Sequence, residues 1–269
     1  MLKDITIGQY VDTGSFLHKM DARVKILLSL LYIIILFLIS SPVAYLMSFV
    51  FTGALIAVSK VPLKYIIKGL KPMVYILLFT GLINLFMTSE GELLWTCPGV
   101  PFLKITDKGV RIAITMVLRL VLLVIITSLL TLTTSPLMLT DGIEKILKPF
   151  EIIKVPAHEI AMMMTIAIRF IPTLSEETEK IIKAQTARGA DFESGNLLMR
   201  AKAMIPLLVP LFISAFRRAD DLAVAMDSRC YHGGKNRTRM KQMKMTGRDA
   251  VAALVMVVFS AGLMAVQLL

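Results

Sequence analysis

Five stretches of the chain are apolar almost without interruption: 24–41, 42–59, 72–88, 109–134 and 249–269. Each is close to the length an α-helix needs to cross a bilayer core. Ser40-Ser41-Pro42 separates the first two, and a tight turn there makes them a helical hairpin. Between the second and third runs, lysines recur at positions 60, 64, 68 and 71, the spacing of a basic stripe on a short interfacial helix. Segment 89–108 is polar, holds the only Trp, Trp95, and reads as a loop at the membrane interface.

After residue 134 the pattern changes. Segment 136–155 is amphipathic and bracketed by Pro136 and Pro149, which predicts a short helix with Ile143, Ile146, Leu147 and Phe150 on its apolar side. Two long helices follow, at 156–189 and 197–231, each apolar in its first half and charged in its second. Pro172 predicts a kink in the first, and Pro206 and Pro210 interrupt the second. Glu176/Lys180 and Glu179/Lys183 have the i,i+4 spacing of helix-surface ion pairs.

The composition agrees with a membrane protein: 56% of residues are hydrophobic and the mean hydropathy is +0.74, above the soluble range. The net charge of +11 does not indicate nucleic acid, because its lysines and arginines flank apolar spans rather than alternating with aromatics. Their distribution orients the chain. Segment 60–71 carries four Lys and segment 235–248 six Lys or Arg, whereas 89–108 has two Lys against three acids. The N-terminus, the 60–71 loop and the region after 134 are therefore expected in the cytoplasm and the C-terminus outside. This gives an all-α polytopic protein with a transmembrane part at 1–134 and 247–269 and a cytoplasmic helical part at 135–246.

Catalytic patterns are lacking. No Gly-rich phosphate loop is present, and no Ser or Cys comes with a convincing base. Glu176-Glu177 begins like an intramembrane protease motif but lacks its partners. Cys97 and Cys230 fall on opposite sides in this topology, and the three histidines have no metal-ligand spacing, so no metal site is expected. Arg119, inside the fourth span, is expected to pair with a carboxylate or carbonyl of the bundle or to snorkel.

The most informative signal is a repeat. Ala184-Gln185-Thr186-Ala187-Arg188-Gly189 and, 41 residues on, Ala225-Met226-Asp227-Ser228-Arg229-Cys230 both fit Ala-x-x-(Ala/Ser)-Arg-small, and each closes a predicted long helix. One chain thus offers the same Arg-tipped end twice. With these motifs and this topology, the chain resembles over its full length the transmembrane T subunit of energy-coupling-factor transporters, ABC-type importers of vitamins and metal ions.

The resemblance implies that the two long helices cross in an X on the cytoplasmic side of a bacterial or archaeal cell membrane. Ala187, Arg188 and Gly189, and Ser228, Arg229 and Cys230, would each enter a groove on one of two ATPase subunits, which bind the ATP. A small membrane S subunit would capture the substrate, with Met162, Met163, Met164 and Met204 as an adaptable apolar surface for it; ordinary core packing is the plainer reading of those methionines. The T subunit itself would be non-catalytic and hold no cofactor. Cys230 departs from the family pattern, where Gly is more usual; Cys tolerates positive φ poorly, which leaves Gly233 as an alternative helix terminator. A conventional ABC permease with its own translocation path is the competing reading. It predicts one coupling element per chain, where this sequence has two. A membrane enzyme would need more polar residues in the spans than Arg119 and Asn84.

Overall fold

The computed structural model describes residues 10–88, 90–96, 104–192, 196–234 and 244–268. Cys97, the start of the leader and most of the basic 235–248 segment lie outside them, as does the side chain of Trp95. Among the described residues nine α-helices follow one another: α1 (Ala22–Leu38), α2 (Pro42–Ser59), α3 (Leu63–Leu70), α4 (Val74–Met87), α5 (Asp107–Thr133), α6 (Pro136–Leu147), α7 (Ala157–Ala187), α8 (Leu197–Asp227) and α9 (Gly247–Leu268). They fall into two compact units, Gly8–Gly142 with Met243–Leu269, and Ile143–Gln242.

In the first unit α5 is the central helix, packed against α1, α2, α3 and α4, while α9 packs on α1 and α2. Its core joins Tyr32, Ile35 and Leu36 of α1 to Tyr45 of α2, Leu122, Ile126 and Leu129 of α5, and Met256 and Leu263 of α9. Polar atoms inside this core are satisfied locally, as lipid requires. Tyr32 donates to the Ser48 carbonyl (3.1 Å) and lies 2.7 Å from Thr52 Oγ1. Phe51 and Phe259 stack with centroids 3.9 Å apart, closing α2 onto α9.

Arg119 reaches the end of α1. Its Nε donates to Tyr45 Oη (2.9 Å) and its Nη2 to the Ile39 carbonyl (3.2 Å), with the guanidinium 5.3 Å from the Phe37 ring centroid. Of the partners expected for this intramembrane cation, the carbonyl is the one realised. A cation against the last turn of α1 also meets the negative end of the helix dipole.

Two features differ from the sequence expectation. Segment 89–108 is more than a loop: β1 (Leu93–Thr96) pairs antiparallel with β2 (Lys104–Thr106). The strands are three and four residues long, too short for alternation to register, although Trp95, Ile105 and Thr106 are strand formers. Thr106 then caps α5, accepting from the Gly109 amide (3.1 Å) while its hydroxyl donates to the Thr88 carbonyl (3.0 Å).

The second difference concerns which helices could span. Five described helices are long and apolar enough to cross a membrane: Pro42–Ser59, Leu63–Met87, Asp107–Thr133, Leu198–Asp227 and Gly247–Gln267. The number is the expected one, but α8 is among them and α1 is not. At 17 residues, α1 is about 25 Å long, a little under a hydrocarbon core of about 30 Å. The apolar run of α8 qualifies it by length and composition, yet Arg217, Arg218, Asp220 and Asp221 fill its later half, and charges there are costly in lipid.

Candidate functional site

In the Ile143–Gln242 unit, α7 and α8 are 31 residues each, about 46 Å long, and pack on one another. Both continue through their prolines, α7 through Pro172 and α8 through Pro206 and Pro210. Half-buried positions on α8 recur at Leu211, Ser214, Ala215, Arg218 and Leu222, the stripe a helix turns toward a neighbour.

A polar contact joins the later halves of the two helices. Ser214 Oγ donates to Glu177 Oε1 (2.6 Å), and Arg218 Nη2 donates to Glu177 Oε2 (2.9 Å). The Ser214 hydroxyl foremost, and then the Arg218 guanidinium, hold the Glu177 carboxyl below its ordinary range against an opposing desolvation. The sequence pointed instead to Glu176/Lys180 and Glu179/Lys183; neither pair closes. The acid that matters is the one between them, and its partner lies across the helix pair.

A second contact fixes the direction of packing. At the start of α7, His158 Nδ1 lies 3.2 Å from Glu144 Oε1 of α6, and its Nε2 lies 3.4 Å from Tyr231 Oη, just beyond α8. Gly234 follows so closely that a Cβ on it would lie 2.5 Å from His158 Cδ2. The start of α7 therefore meets the end of α8, while their later halves meet at Glu177. The two helices run antiparallel, which sends their C-terminal ends in opposite directions.

Those ends are built alike. At the end of α7, the Gly189 amide donates to Thr186 O (2.9 Å) and the Ala190 amide to Gln185 O (3.0 Å), with Gly189 at φ +87°. At the end of α8, the Cys230 amide donates to Asp227 O (2.8 Å) and the Tyr231 amide to Met226 O (3.1 Å), with Cys230 at φ +54°. Both are the paired bonds of a Schellman ending with a left-handed residue after the arginine. Gly233, at φ +92°, does not take over as terminator; Cys230 does the work itself. The paired hydrogen bonds hold a non-glycine residue in a region that costs about 1–2 kcal/mol.

A test of this ending follows directly. Cys230→Gly is expected to keep the Cys230 and Tyr231 amide bonds, whereas Cys230→Val, β-branched and averse to positive φ, should loosen them. Amide hydrogen exchange at these positions should stay slow in the Gly variant and quicken several-fold in the Val variant. Equal exchange in both would show that the left-handed residue does not hold the ending.

Ala187, Arg188, Gly189, Ser228, Arg229 and Cys230 are all exposed. Neither arginine makes a side-chain hydrogen bond or ion pair with a described residue. Each guanidinium thus stands free at a helix end, a planar fork of donors suited to a carboxylate. They project in opposite directions, about 30 Å apart along the helix pair. Met163 and Met204 are exposed, and Met162 and Met164 half-buried. Among the described residues no cluster of His, Cys, Asp or Glu could hold a metal.

The profile of the family described as Cobalt transport protein matches residues 13–240. The chain belongs to this family. Over 257 residues it is 58% identical to the energy-coupling factor transporter transmembrane protein EcfT of Clostridium kluyveri, covering 94% of this chain and 93% of that one. It is 55% identical over 259 residues to the EcfT of Ruminiclostridium cellulolyticum, covering 96% of each. With the EcfT of Bacillus subtilis it shares 44% over 261 residues and 97% of each chain. The full-length resemblance read from the sequence is thereby established: this is a multi-pass transmembrane component of an energy-coupling factor transporter.

Sequence reasoning missed one polar cluster in the first unit. Asp249, 3% exposed, accepts the Asp21 amide on Oδ1 (2.8 Å) and the Thr246 amide (2.8 Å) and hydroxyl (2.9 Å) on Oδ2. Asp21 pairs with Arg23. The buried Lys25 donates to the Thr133 carbonyl (2.9 Å) and Thr134 Oγ1 (3.3 Å) at the end of α5. Three helix ends are thus tied together: Asp21 caps α1, Asp249 caps α9 and Lys25 caps α5.

Proposed function

We propose that this chain is the scaffold through which two cytoplasmic ATP-hydrolysing subunits drive uptake of a vitamin or metal ion captured by a separate small membrane subunit. The observation that carries the proposal is the pair of matched, exposed arginine endings facing opposite ways. A single socket could use only one of them. Two similar partners, each with a carboxylate in a helix-accepting groove, would use both.

In this reading residues 1–134 and 247–269 lie in the membrane, with the N-terminus cytoplasmic and the C-terminus external. Residues 135–246 lie at the cytoplasmic face, where the charged halves of α7 and α8 cost nothing. The lysine-rich 60–71 and 235–248 segments support this orientation. Nucleotide belongs to the partner subunits, and no step of catalysis is assigned to this chain. Met162, Met163, Met164 and Met204, in the apolar halves of α7 and α8, are the candidate contact for the substrate-capturing subunit, since flexible thioethers repack readily against different apolar partners.

The reading fixes a stoichiometry. Native mass spectrometry of the chain purified with its co-expressed partners should give one copy of this chain with two ATP-hydrolysing subunits and one small membrane protein. A complex with two copies of this chain and a single coupling contact each would instead match a permease that contains its own path.

A further inference from the structure

The 41-residue offset that relates Arg188 to Arg229 also relates Glu177 to Arg218, and these two form the ion pair between α7 and α8. The Glu177–Arg218 contact therefore joins positions of the two helices that are equivalent by this offset. The arms on either side are equal: Arg188 lies 11 residues beyond Glu177, and Arg229 lies 11 beyond Arg218, about 16 Å each.

We propose that Glu177, Ser214 and Arg218 form the fixed pivot of the two arms, a contact that stays closed while the arginine-tipped ends move. The proposal rests on the coupling function above and deepens it by naming the point about which the motion turns. The node suits a pivot for a geometric reason. Glu177 holds a different donor on each oxygen, Ser214 at 2.6 Å and Arg218 at 2.9 Å. A slide of one turn along either helix, about 5.4 Å, takes both donors out of hydrogen-bonding range of Glu177. A change in crossing angle about the node moves the distant ends far more than the contact itself. Ser214 and the neighbouring Ala215 are small, which lets the backbones approach there. Glu177, Ser214 and Arg218 are positioning residues: they act through Arg188 and Arg229, not on a partner.

The test uses the assembled transporter with Glu177→Cys and Arg218→Cys added and bridged by a short, reversible bis-methanethiosulfonate linker, the chain with its native cysteines alone treated in parallel. A pivot predicts that the unbridged pair transports several-fold more slowly than its parent and that bridging restores ATP-driven uptake. If bridging stops uptake and cleaving the linker restores it, the contact must open during transport and the pivot is overturned. Charge exchange provides a second arm that needs no cross-link. Glu177→Arg and Arg218→Glu alone should each lower uptake several-fold with the ATP-hydrolysing subunits still attached, and the two together should recover most of it. Single variants that transport like the parent also overturn the pivot. A wild-type chain that inserts but holds no ATP-hydrolysing subunit overturns the coupling function itself, and the pivot with it; that result is visible before any substitution is made.

Discussion

Replacing Arg188 and Arg229 together by Glu is expected to release both ATP-hydrolysing subunits and abolish uptake while the chain remains inserted. Both side chains are exposed and unpaired within the described chain, so folding loses little. The change also sets an acid against the negative end of each helix dipole, which costs about 0.3–1 kcal/mol. The cost falls at the interface instead. Breaking one partner of a buried, hydrogen-bonded charge pair costs about 2–5 kcal/mol, roughly 30-fold to several-thousand-fold in affinity per site. Glu adds repulsion from the carboxylate that the arginine would have met. Each single variant should therefore loosen one contact, and the double variant should lose both.

Lys at either position keeps the charge but not the planar fork, so intermediate uptake is expected. Retention of the subunits on affinity purification, measured beside uptake and membrane content, separates these outcomes. A double Glu variant that is inserted, keeps its subunits and transports like the wild type would refute the assignment of these residues.

The second large effect is expected at Asp249. Asp249→Ala removes the acceptor of three donors, the Asp21 amide and the amide and hydroxyl of Thr246. Loss of a helix cap alone costs about 1 kcal/mol. Here the carboxylate is 3% exposed and lies beside Arg23 and Lys25, so the loss resembles breaking a buried charged network, about 3–5 kcal/mol. In a detergent-solubilised thermal melt that is a fall on the order of 10 °C. Asp249→Asn retains an acceptor for the Asp21 amide and should fall by less. An unchanged melting temperature for the Ala variant would mean that the end of α9 is held by apolar packing alone.

Neither this cluster nor the α7–α8 node could be read from local sequence. Asp21 and Asp249 are 228 residues apart, and each looks like an ordinary polar residue at the end of an apolar run. Their meeting depends on which helices pack together, which periodicity does not encode. Glu177 was obscured by better i,i+4 candidates on either side; its only signal was the offset it shares with the arginines. The β1–β2 pair escaped because strands so short carry no alternation. By contrast, the apolar runs and the repeated Arg endings were legible, since uninterrupted hydrophobicity and helix-terminal motifs are local properties. The left-handed Cys230 was half legible. The position of the helix end followed from the repeat, but composition favoured Gly233, and the two backbone bonds at Cys230 decided otherwise.

The central claim is that each arginine ending occupies its own ATP-hydrolysing subunit. It is tested most directly by placing a photo-cross-linking residue at Ala187 or at Ser228, one position before each arginine, in the assembled transporter. Irradiation should attach one ATP-hydrolysing subunit to this chain from either position, and two subunits when both positions carry the probe. Capture of only the small membrane protein or lipid from these positions, or of one subunit at most from the doubly labelled chain, would contradict it.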